Sequence, residues 1–176
     1  MKHRIIFPVL LAVLIFLGIG LFFYWKMHKP PAPLSEQDFV LAGVRPDAPA
    51  GDVLKILGEP HTKERTAEPS IHNNDYISDF DTWSYPGLKV VFFSSREKSS
   101  PAPAEPGIVI DIVITDPRHA TARGVRVGDP ASRVMKKYGK MESNENQIFY
   151  ENGMSYLSFG ISRGKVAYII AGVMFD

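Results

Sequence analysis

The chain has 176 residues, 45% of them hydrophobic, with 20 Lys+Arg against 19 Asp+Glu, enough apolar mass for a core and too little net charge for a field that would gather nucleic acid. It has no cysteine, which excludes disulfides, thiolate zinc sites, cysteine nucleophiles and a lipid-bearing cysteine. We therefore expect no nucleic-acid partner.

The first element in chain order is Ile5 to Trp25, "IIFPVLLAVLIFLGIGLFFYW", 21 residues without a charge. At about 1.5 Å per residue it is as long as a bilayer core is thick. It exceeds a signal-peptide core and no small-x-small site follows it, so the sequence predicts an uncleaved transmembrane anchor over residues 1–28. Tyr24 and Trp25 suit an interface, and Lys2, Arg4, Lys26 and Lys29 flank the run. The expected location is a cytoplasmic membrane, crossed once, with the domain outside. "KPPAPL" over residues 29–34 reads as a proline-rich linker.

The rest divides into two copies of one unit. "GVRPDAPAGDVLKILG" at Gly43 to Gly58 and "GVRVGDPASRVMKKYG" at Gly124 to Gly139 align without a gap at an offset of 81, identical at eight of sixteen positions. In each, apolar residues at i, i+3, i+4 and i+7 make one stripe: Ala50, Val53, Leu54 and Leu57, then Ala131, Val134, Met135 and Tyr138. Asp129 is the expected N-cap of the second helix, and a terminal glycine stops each. A short helix is predicted before each motif, from a Ser35/Asp38 capping box in the first copy and from Asp116-Pro117 in the second. After each motif come a polar connection and strands with tight turns: "WSYPGLKVVFF" and "IVIDIVI", then "IFYENGMSYLSFGI" and "KVAYIIAGVMF", with Asn152-Gly153 as a type I′ turn. The expected fold class is α+β: two tandem ααβββ repeats, 35–115 and 116–176, forming an antiparallel sheet with helices on one face.

The Gly124 to Gly139 motif followed by an aromatic hairpin resembles the SmpA/OmlA-like (BamE-like) domains, and tandem copies resemble the β-lactamase-inhibitor-protein fold. The resemblance implies a non-catalytic binding or envelope-assembly protein, cell-envelope or secreted, and we expect no cofactor. The lipid-bearing cysteine of such proteins is missing here.

Little in the chain suggests catalysis, and we expect no enzyme. "GISRG" at Gly160 to Gly164 matches a hydrolase pattern but falls between two strands, not at a strand-to-helix turn. His61, His72 and His119 lack zinc spacing, and Asp75, Asp79 and Asp81 lack the glycine and terminal glutamate of a calcium loop. The seven basic residues from Arg118 to Lys140 read as a solvated helix face. The sheet face opposite the helices reads as apolar, with Val91, Phe93, Val109, Val113, Leu157, Phe159, Val166, Tyr168 and Ile170 outward. The expected function is protein binding through that face and its hairpins, with Trp83, Tyr85, Phe93, Phe149, Tyr150, Phe159 and Tyr168 as contact candidates; hairpin core is the competing role for the aromatics. The alternative is a sensor or carrier that binds a small ligand or wall fragment between the copies.

Overall fold

The computed structural model describes residues 30–103, 105–140 and 146–174. Among them the chain forms a single seven-stranded antiparallel sheet, a four-residue 3₁₀ turn (Glu36–Phe39) and two short helices, α1 (Ala50–Leu57) and α2 (Ala131–Tyr138). The strands are β1 (Thr62–Pro69), β2 (Tyr76–Tyr85), β3 (Leu88–Glu97), β4 (Ile108–Ile114), β5 (Gln147–Asn152), β6 (Ser155–Ser162) and β7 (Lys165–Val173). Their order across the sheet is β1-β2-β3-β4-β7-β6-β5.

This corrects the expected ααβββ tandem with a transmembrane helix. The capping box does form, with the Ser35 N–H donating to Asp38 Oδ2 at 2.9 Å. The chain then leaves the helical path at once: Val40 is extended, and Leu41 exchanges two backbone hydrogen bonds with Val44. No helix opens at Asp116. Its carboxylate accepts the Arg118 backbone N–H at 2.8 Å and the Arg118 side chain at 2.9 Å, a local turn that competes with helix nucleation. The connection expected after α1 instead contains the extra strand β1, paired along its full length with β2.

No helix among the described residues is long and apolar enough to cross a membrane. Among those residues, then, the structure has no span for the expected single-pass inner-membrane placement. The stretch at residues 5–25 lies outside the described residues.

Both helices cover the same face of the sheet. Val53 and Val134 are fully buried there, joined by Trp83, Val90, Phe92, Ile112, Leu157, Phe159 and Ile169. Each helix stops at a glycine, Gly58 at φ 75° and Gly139 at φ 102°, whose N–H closes on Leu54 and Met135 respectively. Those φ values favour a residue without Cβ. Asp129 does not cap α2; it accepts the Arg126 N–H at 2.8 Å and pairs with Arg133 at 3.2 Å. The β5–β6 loop is Gly153-Met154, one residue later than expected, because Asn152 pairs with Ser155. Gly153 has φ 61° while Met154 is not among the positive-φ residues, the pattern of a type II′ turn.

The two halves follow one path. The Asp47 N–H donates to Val109 O and the Val109 N–H to Ala48 O; 81 residues on, the Gly128 N–H donates to Val166 O and the Val166 N–H to Asp129 O. Immediately after each valine the strand bulges, at Ile110 in β4 and at Ala167 in β7. The halves join where β4 pairs with β7, Asp111 opposite Gly172 and Ile114 opposite Ile169.

Candidate functional site

The face of the sheet away from the helices is the candidate site. Cross-strand pairing fixes its members: Phe80 opposite Phe93, Thr82 opposite Val91, Val113 opposite Ile170, Ser158 opposite Ile170 and Gly160 opposite Tyr168. Because the pleat alternates, these side chains share one surface that runs across both halves. Phe80 and Phe93 meet at 5.5 Å between ring centroids, and Phe149 stacks on Tyr156 at 5.5 Å and 22°. Most of these side chains are half-buried; Tyr168 is 37% exposed.

Two glycines shape the second half of this surface. A Cβ at Gly160 would fall inside the Tyr168 ring, so that ring lies flat across β6. At Gly172 a Cβ would collide with the Asp111 carboxylate and the Ile110 carbonyl. The space goes to a polar centre in which the Tyr156 hydroxyl donates a hydrogen bond to Asp111 Oδ1. Burial pushes the Asp111 carboxyl above its ordinary pKa, against the lowering effect of that bond. Burial, then the bond to Asp111, pushes the Tyr156 phenol up as well.

The contact candidates read from sequence separate into two groups. Phe93, Phe149 and Tyr168 lie on the outer surface. Trp83, Tyr150 and Phe159 are core side chains at 3%, 2% and 0% exposure: Trp83 packs on Phe92 at 4.6 Å, and Tyr150 and Phe159 each pack on Tyr138 at 5.4 Å. Tyr85 is half-buried on the helix side, its hydroxyl donating to Gly58 O at 3.2 Å. Tyr150 makes the equivalent bond to Gly139 O at 2.7 Å. Burial, then the neighbouring Tyr138, pushes the Tyr150 phenol up to about 12, against the lowering effect of Arg123. Of the residues expected outward, Val109, Leu157, Phe159 and Val166 face the helices instead. For Val109 and Val166 the cause is the bulge, which reverses alternation beyond it. Phe80 and Tyr156 were missed; their spacing to Thr82 and Ser158 was the available signal.

Among the remaining polar candidates, Asp79 and Asp81 have structural partners. Asp79 is held by Arg96 and Asp81 by Arg65, each at 2.7 Å, and the same arginines also reach Ser100 O and Pro103 O. These bonds fix the loop after β3 to the distal helix-side face. Among the described residues no group of three His, Cys, Asp or Glu side chains could hold a metal ion. Ser162 of "GISRG" ends β6 on an exposed hairpin. Among the basic residues, Arg123 forks onto Asp38 at 2.7 and 2.8 Å and lies over the Tyr138 ring at 4.8 Å. That part-buried pair ties the 3₁₀ turn of the first half to the second.

No family model matches the chain, nor does any curated protein or solved structure.

Proposed function

We propose that this chain is a non-catalytic protein-binding module whose contact surface is the outer face of the sheet. The observation that carries this reading is the placement of both helices on one face, which leaves Phe80, Val91, Phe93, Val113, Ile170 and Tyr168 on the other. Flat aromatic groups amid aliphatic ones suit a binding hot spot. The likeness of the Gly124 to Gly139 motif to SmpA/OmlA domains agrees with an assembly or inhibitor-like role. A photo-crosslinking residue at Val91 or Tyr168 should give discrete protein adducts in the native cell, and one at Lys136 on α2 should give none. Equal labelling from both faces would overturn the reading.

A second reading, small-ligand binding, has one observation in its favour. A groove of about 450 Å³ lies between the halves, lined by Glu36, Arg45, Asp47, Asn152 and Ser155 among others. A ligand there would raise the melting temperature of the wild type and not of Arg45→Ala.

A further inference from the structure

The two ends of the sheet differ in a way that points to a second copy of the chain. In the first half, residues 58–75 connect α1 to β2 and include β1, which pairs with β2. In the second half, only residues 139–146 connect α2 to β5. The place beside β5 that corresponds to β1 therefore has no strand among the described residues.

The exposed backbone of β5 can be read from its pairing with β6. Asn152 and Ser155 close a two-residue hairpin, and Asn146 O accepts the Ile161 N–H at 2.7 Å. Bonding toward β6 thus falls on Asn146, Ile148, Tyr150 and Asn152, because antiparallel ladders alternate. The N–H and C=O groups of Gln147, Phe149 and Glu151 point away from the sheet, with no backbone partner among the described residues.

The other edge is guarded. β1 carries Lys63, Glu64, Arg65 and Glu68, ends in Pro69 and is exposed throughout, the charges and proline that deter edge pairing. β5, "QIFYEN", has one charge and no proline. It is also complementary to itself. An antiparallel copy about a two-fold axis through Phe149 sets Phe149 against Phe149, Ile148 against Tyr150 and Gln147 against Glu151. Every pair then lies on one face of the pleat, and each carboxylate meets an amide instead of its own twin. An isologous interface requires this self-complementarity.

We propose that two copies of this chain pair edge to edge through β5, antiparallel and in register at Phe149, to form one continuous sheet. The outer surfaces of both copies then lie side by side, so the inference extends the proposed function without depending on it.

The absence of native cysteine allows a test of register. The full chain is made as Gln147→Cys and, separately, as Glu151→Cys, and the two are mixed and oxidised. In the proposed pairing these positions oppose each other at a Cα separation of about 5.5 Å, within disulfide reach of about 4.4–6.8 Å. The mixture should give a crosslinked dimer at least tenfold above either variant alone, and Thr66→Cys on β1 should give none. Association through the apolar stretch at residues 5–25 would show no such preference, and that result overturns the proposal. Glu151→Pro removes one outward N–H at an exposed position; it should weaken dimerisation in sedimentation at least tenfold while β6 amides stay protected from exchange. Unchanged association of that variant would also overturn the pairing.

Discussion

The first and second halves share a chain path, yet they hold their helices down with different chemistry. In the first, Trp83 and Phe92 form the aromatic centre and Lys63 from β1 lies 4.7 Å over the Trp83 ring, while Arg65 and Arg96 neutralise two buried aspartates and hold the loop after β3. In the second, Tyr138, Tyr150 and Phe159 form a cluster with Arg123 over it. Common to both are the buried valine of the helix, the glycine that ends it, the tyrosine hydroxyl bonded to that glycine and the bulge after the first strand valine. What persists between the copies is therefore the set of features that docks a helix on a twisted sheet; the aromatic filling varies.

The comparison can be broken most severely at the bond between halves. Asp38→Ala leaves Arg123, 15% exposed, without its carboxylate, and should cost about 3–5 kcal/mol in chemical denaturation. Burial raises the Asp38 pKa, but the bonds from Arg123 and Ser35 outweigh it and the net shift is downward. A carboxyl depressed in the folded state stabilises above its unfolded pKa of about 3.9 and loses that contribution as pH falls through the folded value. Asp38→Asn should accordingly show a shallower loss of stability below about pH 4.

Val53→Ala and Val134→Ala test the equivalence of the helices. Both side chains are fully buried, so each should cost about 2–3 kcal/mol, and a difference well beyond 1 kcal/mol would show that the sites are not equivalent. A finer probe is the tyrosine bond. Tyr150→Phe should cost about 1 kcal/mol and Tyr85→Phe less, since Tyr150 is buried with the shorter bond. The raised Tyr150 pKa favours the folded state below pH 10, and that contribution is lost as pH rises toward about 12. Removing the hydroxyl should flatten the alkaline limb of the stability curve. The smallest expected effect is Lys63→Ala, under about 1 kcal/mol, since this cation–π contact belongs to the strand that only the first half has.

How much of this could be read from the residues follows from where they sit. The helices were legible because a 3.6-residue stripe and a terminal glycine act within one turn of chain. β1, "TKERTAEP", was not: an edge strand exposed on all eight residues has no apolar alternation to reveal it. Orientation was legible in β3, where Lys89 marks the wet side, but failed in β6, where Leu157 and Phe159 face the helices, and beyond the bulges, since one extra residue reverses a period of two. Trp83 and Tyr150 read equally well as contacts or core because hairpin aromatics serve both roles. Only the helices folding back over them decide it.

The join between β4 and β7 bears on how the protein is made. β4, "IVIDIVI", lies in the middle of the sheet, yet its partner β7 is made only after β5 and β6. Until β7 emerges, the nascent first half presents a bare, aliphatic strand edge to its surroundings. Shortened forms that end before Lys165 should consequently be caught by chaperones or lost to precipitation.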